Sequence, residues 1–211
     1  MTWLALFAIF LITAESALSV RFPALLRSFR YQSLLLAILT FLAAIKSGSL
    51  ELYFVSILIV FLKAFLIPTL FQKLIVKIKA GEHLGLFINS QLSLIVTIIL
   101  GFIAWNFSQN IIPSSERLDQ LAMSIALFMM LVGIWLMVSR IKAMAQVIGL
   151  LMMENGVFLA ATIIPGGTPF FIEIAIFFDI LVSAMIFGLF IYRINAIFTH
   201  IDVSKLTGLK G

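Results

Sequence analysis

Long apolar runs separated by short polar connectors account for nearly the whole chain. Seven runs, over residues 2–20, 32–44, 50–70, 86–107, 118–138, 147–164 and 170–191, suit the roughly 20 residues that carry a helix across the hydrocarbon core of a bilayer. The second is short and predicts a helix that tilts or is shielded by its neighbours. The connectors read RFPALLRSFR, IKSGS, KLIVKIKAGEH, SQNIIPSSERLDQ, SRIKAMAQ and PGGTP, with a tail over 193–211. A transmembrane β-barrel would instead need short alternating segments and a polar lumen. The expected fold is therefore all-α, a polytopic membrane helix bundle of about seven transmembrane helices. The first run has no basic stretch before it, and Glu15 sits badly for a small-residue cleavage site, so it is read as a retained helix and not a signal peptide.

Composition strengthens this reading. Of 211 residues, 63% are hydrophobic and 11% charged, against about 45–50% and 25% in soluble globular domains. So few charges could not cover so much apolar surface in water. There is no cysteine, which excludes thiolate-ligated iron–sulfur clusters, disulfides and cysteine zinc sites in this chain. The two histidines, His83 and His200, fall in different polar stretches, which argues against a haem or di-histidine metal site. Met129, Met130, Met144, Met152 and Met153 are read as lipid-facing or gap-filling residues and not as a soft-metal path. PGGTP is a tight turn and not a phosphate loop.

The net charge of +5 follows from topology. Arg21, Arg27, Arg30, Lys73, Lys77, Lys79, Arg140, Lys142, Arg193, Lys205 and Lys210 collect in alternate connectors, against Lys46 and Arg117 in the others. This bias places the basic side in the cytoplasm. With seven spans the N-terminus is outside and the C-terminus inside, in the cell's inner (cytoplasmic) membrane. The excess positive charge then needs no nucleic-acid partner.

A few ionisable residues fall inside the runs. Lys63 lies deep in the third, Glu154 in the sixth, and Glu173 and Asp179 in the seventh; Glu15 is toward the inner end of the first. A charge at the bilayer centre costs about 2.5–3.5 kcal/mol on insertion scales, and such groups face other helices or water and mark ion or proton routes. Glu15 and Glu173, nearer span ends, are read equally well as packing ion pairs, whereas Lys63, Glu154 and Asp179 are expected to be functional. Pro68, five residues after Lys63, removes a backbone donor and leaves the carbonyl of Ala64 without its helical partner. In GLLMMENG, Asn155 adjoins Glu154, and Gly149 and Gly156 allow close helix approach. The Asn155 amide can hold a water or the carboxylate. Lys63, Glu154, Asp179 and Glu173 are thus the candidate proton-transfer residues, with Asn155 and Pro68 in support; no catalytic triad is present.

The runs VIGLLMMENGVFLAA and IEIAIFFDILVSAMIFGLFIYRI, with the closing IDVSKLTGLKG, resemble the E component of hydrogenase 4. This is a membrane subunit of group 4 nickel–iron hydrogenases and formate hydrogenlyase-type complexes. The resemblance extends over the whole chain, Lys63 and Pro68 matching the family's lysine and proline in the third span. The last three spans are also similar to the K subunit of complex I and the C subunit of Mrp-type antiporters. That likeness puts Asp179 at a third-helix glutamate of the proton-carrying axis. Glu154 stands one helical turn after the second-helix position, which Leu151 occupies. The resemblance implies a non-catalytic subunit of an oxidoreductase complex that takes part in proton translocation. It implies antiporter-like and complex I H-subunit-like membrane partners and a cytoplasmic hydrogenase arm. No cofactor is expected in this chain, the nickel–iron and iron–sulfur centres being expected on partner subunits.

A shift of 116 residues superimposes Lys63 on Asp179 and LLLAILTFLAAIKSGS on LLMMENGVFLAATIIP. The chain then divides into an N-terminal three-helix unit (1–80), a connector helix (81–112) and a K-subunit-like three-helix unit with a cytoplasmic tail (113–211), a parallel repeat around an odd linker span. Two rival functions stay open: a small subunit of a cation/proton antiporter without hydrogenase, and a membrane scaffold whose buried charges only pair.

Overall fold

The computed structural model of the chain describes residues 2–78, 90–111, 117–163 and 188. They form helices α1 (Thr2–Leu18), α2 (Phe22–Ser47), α3 (Leu50–Ile59), a π-helical segment (Val60–Leu66), α4 (Ile67–Ile78), α5 (Ser90–Ile111), α6 (Arg117–Ser139) and α7 (Ala143–Ala161), with no strand among the described residues. Among the described residues, five helical stretches are long and apolar enough to cross a membrane: Phe22–Ser47, Leu50–Lys73, Gln91–Ile111, Arg117–Ser139 and Ala143–Ala161. Helix α1 is apolar but shorter. The run expected over 170–191, with Glu173 and Asp179, lies outside the described residues.

One boundary reading is corrected. The second span is not short: α2 has 26 residues, about 39 Å at 1.5 Å per residue, and takes in most of RFPALLRSFR, which the hydropathy pattern assigns to a connector. Pro23 sits in its first turn, where the missing N–H costs nothing. Phe22, Leu25, Leu26 and Phe29 turn inward, while Arg27 is exposed and Arg30 lies over the ring of Phe65 at 5.1 Å. The helix ends at Gly48, whose φ of 68° and N–H bond to the Ala44 carbonyl close it in the left-handed conformation glycine favours. Ser49 leads directly into α3.

The link between α6 and α7 is three residues, Arg140–Lys142, which makes the two helices antiparallel neighbours. They form the most extensive helix pair among the described residues, and glycine is the reason. A Cβ on Gly133 would stand 2.6 Å from the Gly149 carbonyl, one on Gly149 2.8 Å from the Gly133 carbonyl, and one on Gly156 2.7 Å from the Ala126 carbonyl. The backbones meet where any side chain would collide. Helix α2 packs on α1, α3, the π segment and α7, α1 also packs on α6, and α5 lies against α6 and α1.

The core is split into two apolar clusters. One holds Ala17, Phe22–Phe29 residues of α2, Ile67, Phe71, and Ala145 to Met152 of α7; the other holds Leu6, Ile9, Leu36, Ala37, Leu52 to Ile59, and Phe158 to Ala160. On α1, α2, the π segment and α7 alike, a buried polar residue falls between them: Thr13, Gln32 with Ser33, Lys63, and Glu154 with Asn155. The polar groups form a layer across the bundle, capped above and below by hydrocarbon.

Candidate functional site

Lys63 occupies the middle of the π segment. In α geometry the ring of Pro68 would clash with the carbonyl four residues earlier, that of Ala64. A widened turn moves that carbonyl away, and π segments of this kind recur at functional sites. The segment turns Lys63 and Ala64 inward and leaves Phe61 and Phe65 on the outer surface.

Lys63 is 2% exposed, Glu154 7% and Asn155 0%. The lysine Nζ donates to Asn155 Oδ1 at 3.0 Å and lies 3.7 Å from Glu154 Oε2. The Asn155 amide therefore serves the ammonium and not the carboxylate. Its Nδ2 donates to Gln32 Oε1 at 3.2 Å and to Ser33 Oγ at 3.1 Å. Gln32 Nε2 donates to Thr13 Oγ1 at 2.8 Å, and the threonine hydroxyl donates to the Ile9 carbonyl at 2.7 Å. On the next turn of α1, Ser16 Oγ donates to the Thr13 carbonyl at 2.6 Å. Four helical elements thus contribute to one buried polar cluster; Asn155 has both donors and its acceptor engaged and Gln32 donates and accepts, as burial in apolar surroundings demands.

Of the sequence-predicted residues, Lys63, Glu154 and Asn155 come together, and Pro68 accompanies the wide turn that presents Lys63. Glu173 and Asp179 lie outside the described residues. Glu15 is exposed on α1, away from the layer. Gln32, Ser33 and Thr13 are additions that hydropathy reading missed.

A second buried cation is a correction. Arg140, assigned by its position to a solvated cytoplasmic connector, is 1% exposed. Its Nη2 donates to the Ala17 carbonyl at 2.7 Å, at the end of α1, where the helix dipole favours positive charge. Its own carbonyl accepts from Gln146 Nε2 at 2.9 Å. Nε, Nη1 and the adjacent Ser139 Oγ have no hydrogen-bond partner among the described residues. Burial pulls the guanidinium down from the ordinary arginine range to about 10.

Among the described residues no group of three or more His, Cys, Asp or Glu side chains comes together. A separate groove of about 540 Å³ runs between α1, α5 and α6, lined by Phe7, Phe10, Ile98, Trp105, Phe128 and other residues, none ionisable.

No protein-family model matches the chain, and no solved structure matches it. The chain is similar to the uncharacterized protein Rv0085 of Mycobacterium tuberculosis (strain ATCC 25618 / H37Rv), with 26% identity over 188 residues, covering 89% of this chain and 86% of that protein.

Proposed function

We propose that this chain is an integral subunit of a complex I-related, membrane-bound hydrogenase or dehydrogenase assembly, with Lys63 and Glu154 part of a buried proton route. The chain crosses the membrane seven times, N-terminus out and C-terminus in, and Asp179 continues the route in the last span. The subunit has no redox centre; nickel–iron and iron–sulfur chemistry belongs to partner subunits. The observation that carries the reading is an ion pair, Lys63 Nζ to Glu154 Oε2 at 3.7 Å, held in a polar layer between two apolar clusters. Intramembrane ionisable groups that face the bundle interior mark ion and proton pathways. The hydrogenase assignment rests on the ENG motif, the closing IDVSKLTGLKG tail and the Lys63–Pro68 pair.

Chemically, Glu154 is the exchanging group. A proton arriving on its carboxylate cancels the charge opposite Lys63, and its departure restores the pair. A neighbouring subunit that moves a charge near the layer therefore changes the affinity of Glu154 for protons, which is the coupling such a subunit needs.

Two measurements test this. Purification of the native complex should bring down nickel–iron large and small subunits; co-migration with antiporter subunits alone would replace the hydrogenase assignment by the antiporter one. Glu154→Ala should impair proton-coupled activity while the complex still assembles, and normal coupling in that variant sinks the relay. The scaffold reading has its own support, since the Asn155 amide is fully engaged and would fix helix packing as well as chemistry. It predicts that Glu154→Ala weakens assembly and coupling together.

A further inference from the structure

The groove between α1, α5 and α6 has the dimensions of one lipid chain. It runs from Phe7 to Leu18 on α1 and from Leu94 to Trp105 on α5, about 16 Å at 1.5 Å per residue. That is close to the roughly 15 Å that one leaflet contributes to the hydrocarbon core. Spread over this length, the 540 Å³ of the groove gives a section of about 33 Å², less than half the roughly 80 Å² of a helix 10 Å across. A partner helix is too wide for it, and a single hydrocarbon chain is not. The wall offers nothing polar, because the Thr97 and Ser124 hydroxyls donate to the carbonyls of Ser93 and Gln120 on their own helices.

One end of the groove differs. The Ser108 and Ser124 hydroxyls bond to each other and fix the register of the packed, antiparallel helices α5 and α6. Ser93 and Ser139, each fifteen residues away from that contact, therefore come to the same end. Trp135 stands one turn before Ser139 on the same face. Arg140 joins them to α1 through its bond to the Ala17 carbonyl, one residue before Leu18. Ser93, Ser139 and Arg140 are at most 1% exposed. Ser93 Oγ, Trp135 Nε1, Ser139 Oγ, and Arg140 Nε and Nη1 have no hydrogen-bond partner among the described residues. A buried guanidinium whose donors go unmet is costly, and an oxyanion placed on it offsets that cost. Arg21, exposed at the start of α2, adds positive charge at this end, and Glu15 takes no part in the groove wall. We propose that the groove and Arg140 form one binding site for an anionic phospholipid of the cytoplasmic leaflet, with an acyl chain between α1 and α5 and the phosphate at Arg140. The inference takes from the proposed orientation only the choice of leaflet, and nothing from the hydrogenase assignment.

The test is lipid retention by the purified full-length chain, read by native mass spectrometry after delipidation and titration with phosphatidylglycerol or with phosphatidylcholine of the same acyl chains. The wild type should retain one phosphatidylglycerol, about tenfold more tightly than phosphatidylcholine, the effect of about one charge-assisted contact. Gly101 lines the groove, and a Cβ there meets nothing nearer than the Phe128 ring at 3.7 Å. Gly101→Leu therefore fills the space without displacing backbone, and should lose retention of both lipids. Arg140→Gln should still hold a chain in the groove and lose the preference for phosphatidylglycerol. Equal binding of the two lipids by the wild type, undiminished retention by Gly101→Leu, or an unchanged preference in Arg140→Gln overturns the proposal. If Arg140→Gln does not accumulate, the other two results decide. Retention reads neither proton coupling nor partner identity, so a complex without nickel–iron subunits would defeat the hydrogenase assignment and leave the lipid site standing.

Discussion

Removing both members of the Lys63–Glu154 pair should cost less than the two single removals added together. Lys63→Met takes the ammonium away from a carboxylate at 7% exposure and from Asn155 Oδ1. Breaking one side of a buried pair typically costs about 3–5 kcal/mol. Glu154→Gln is milder, because a neutral amide needs no counter-charge. At 3.7 Å and an effective dielectric constant of about 20, the gross attraction is about 4.5 kcal/mol. Part of this is lost in any measurement, since polar groups in the unfolded but membrane-embedded state find other partners; hydrogen-bond couplings within a bilayer average only about 0.6 kcal/mol and reach about 1.7. A full charge pair should exceed that range, and we expect a coupling energy of about 2 kcal/mol, the double variant being more stable than the sum of the singles predicts.

The assay is a double-mutant cycle on unfolding of the purified chain in mixed micelles, titrated with sodium dodecyl sulfate. Effects of Lys63→Met and Glu154→Gln that add to within about 0.5 kcal/mol would mean that the two groups do not sense each other, and the reasoning about the layer would be wrong. The cycle also separates the two functional readings. A double variant that regains stability but not proton coupling supports the relay, and one that regains both supports the scaffold.

Two further outcomes are expected. Gly156→Ala places a Cβ 2.7 Å from the Ala126 carbonyl; overpacking of this kind costs about 1–3 kcal/mol, read in the same unfolding titration, and by moving α7 off α6 it should also disturb the adjacent Glu154 and Asn155. Reporter fusions should place the connector at Ser49 outside and the one at Ile141 in the cytoplasm, and both on one face would undo the proposed orientation.

Lys63 could be picked out from the chain alone because apolar residues flank it on both sides for more than a helical turn, so no shift of boundary brings it to the surface. Glu154 and Asn155 were legible for the same reason, and Gly149 and Gly156 announced a close helix contact that the α6–α7 packing supplies. The π segment was only half legible. Pro68 signals a disturbed turn, but whether it kinks, frays or widens the helix depends on what packs around it.

Gln32 was passed over and Arg140 was placed in a connector for one shared physical reason. A polar residue lowers the hydropathy of its window equally whether it meets water at the membrane surface or a partner inside the bundle. Gln32 stands at the first position of the second apolar run, directly after the basic connector, where hydropathy gives it no role, yet α2 begins at Phe22 and carries Gln32 into the buried layer. Arg140 stands with Lys142 in a three-residue link, which suggests solvent, and is instead folded under the end of α1. What distinguishes the two meanings is the partner, and in both cases it lies 123 residues away in the chain, Asn155 for Gln32 and the Ala17 carbonyl for Arg140. Local pattern fixes which segments are helical and apolar; only the packing of α2 on α7 and of α1 on α6 decides which polar side chains are enclosed. The buried layer is therefore a property of helix association, and a substitution that loosens either contact should unmake the site before it unmakes any helix.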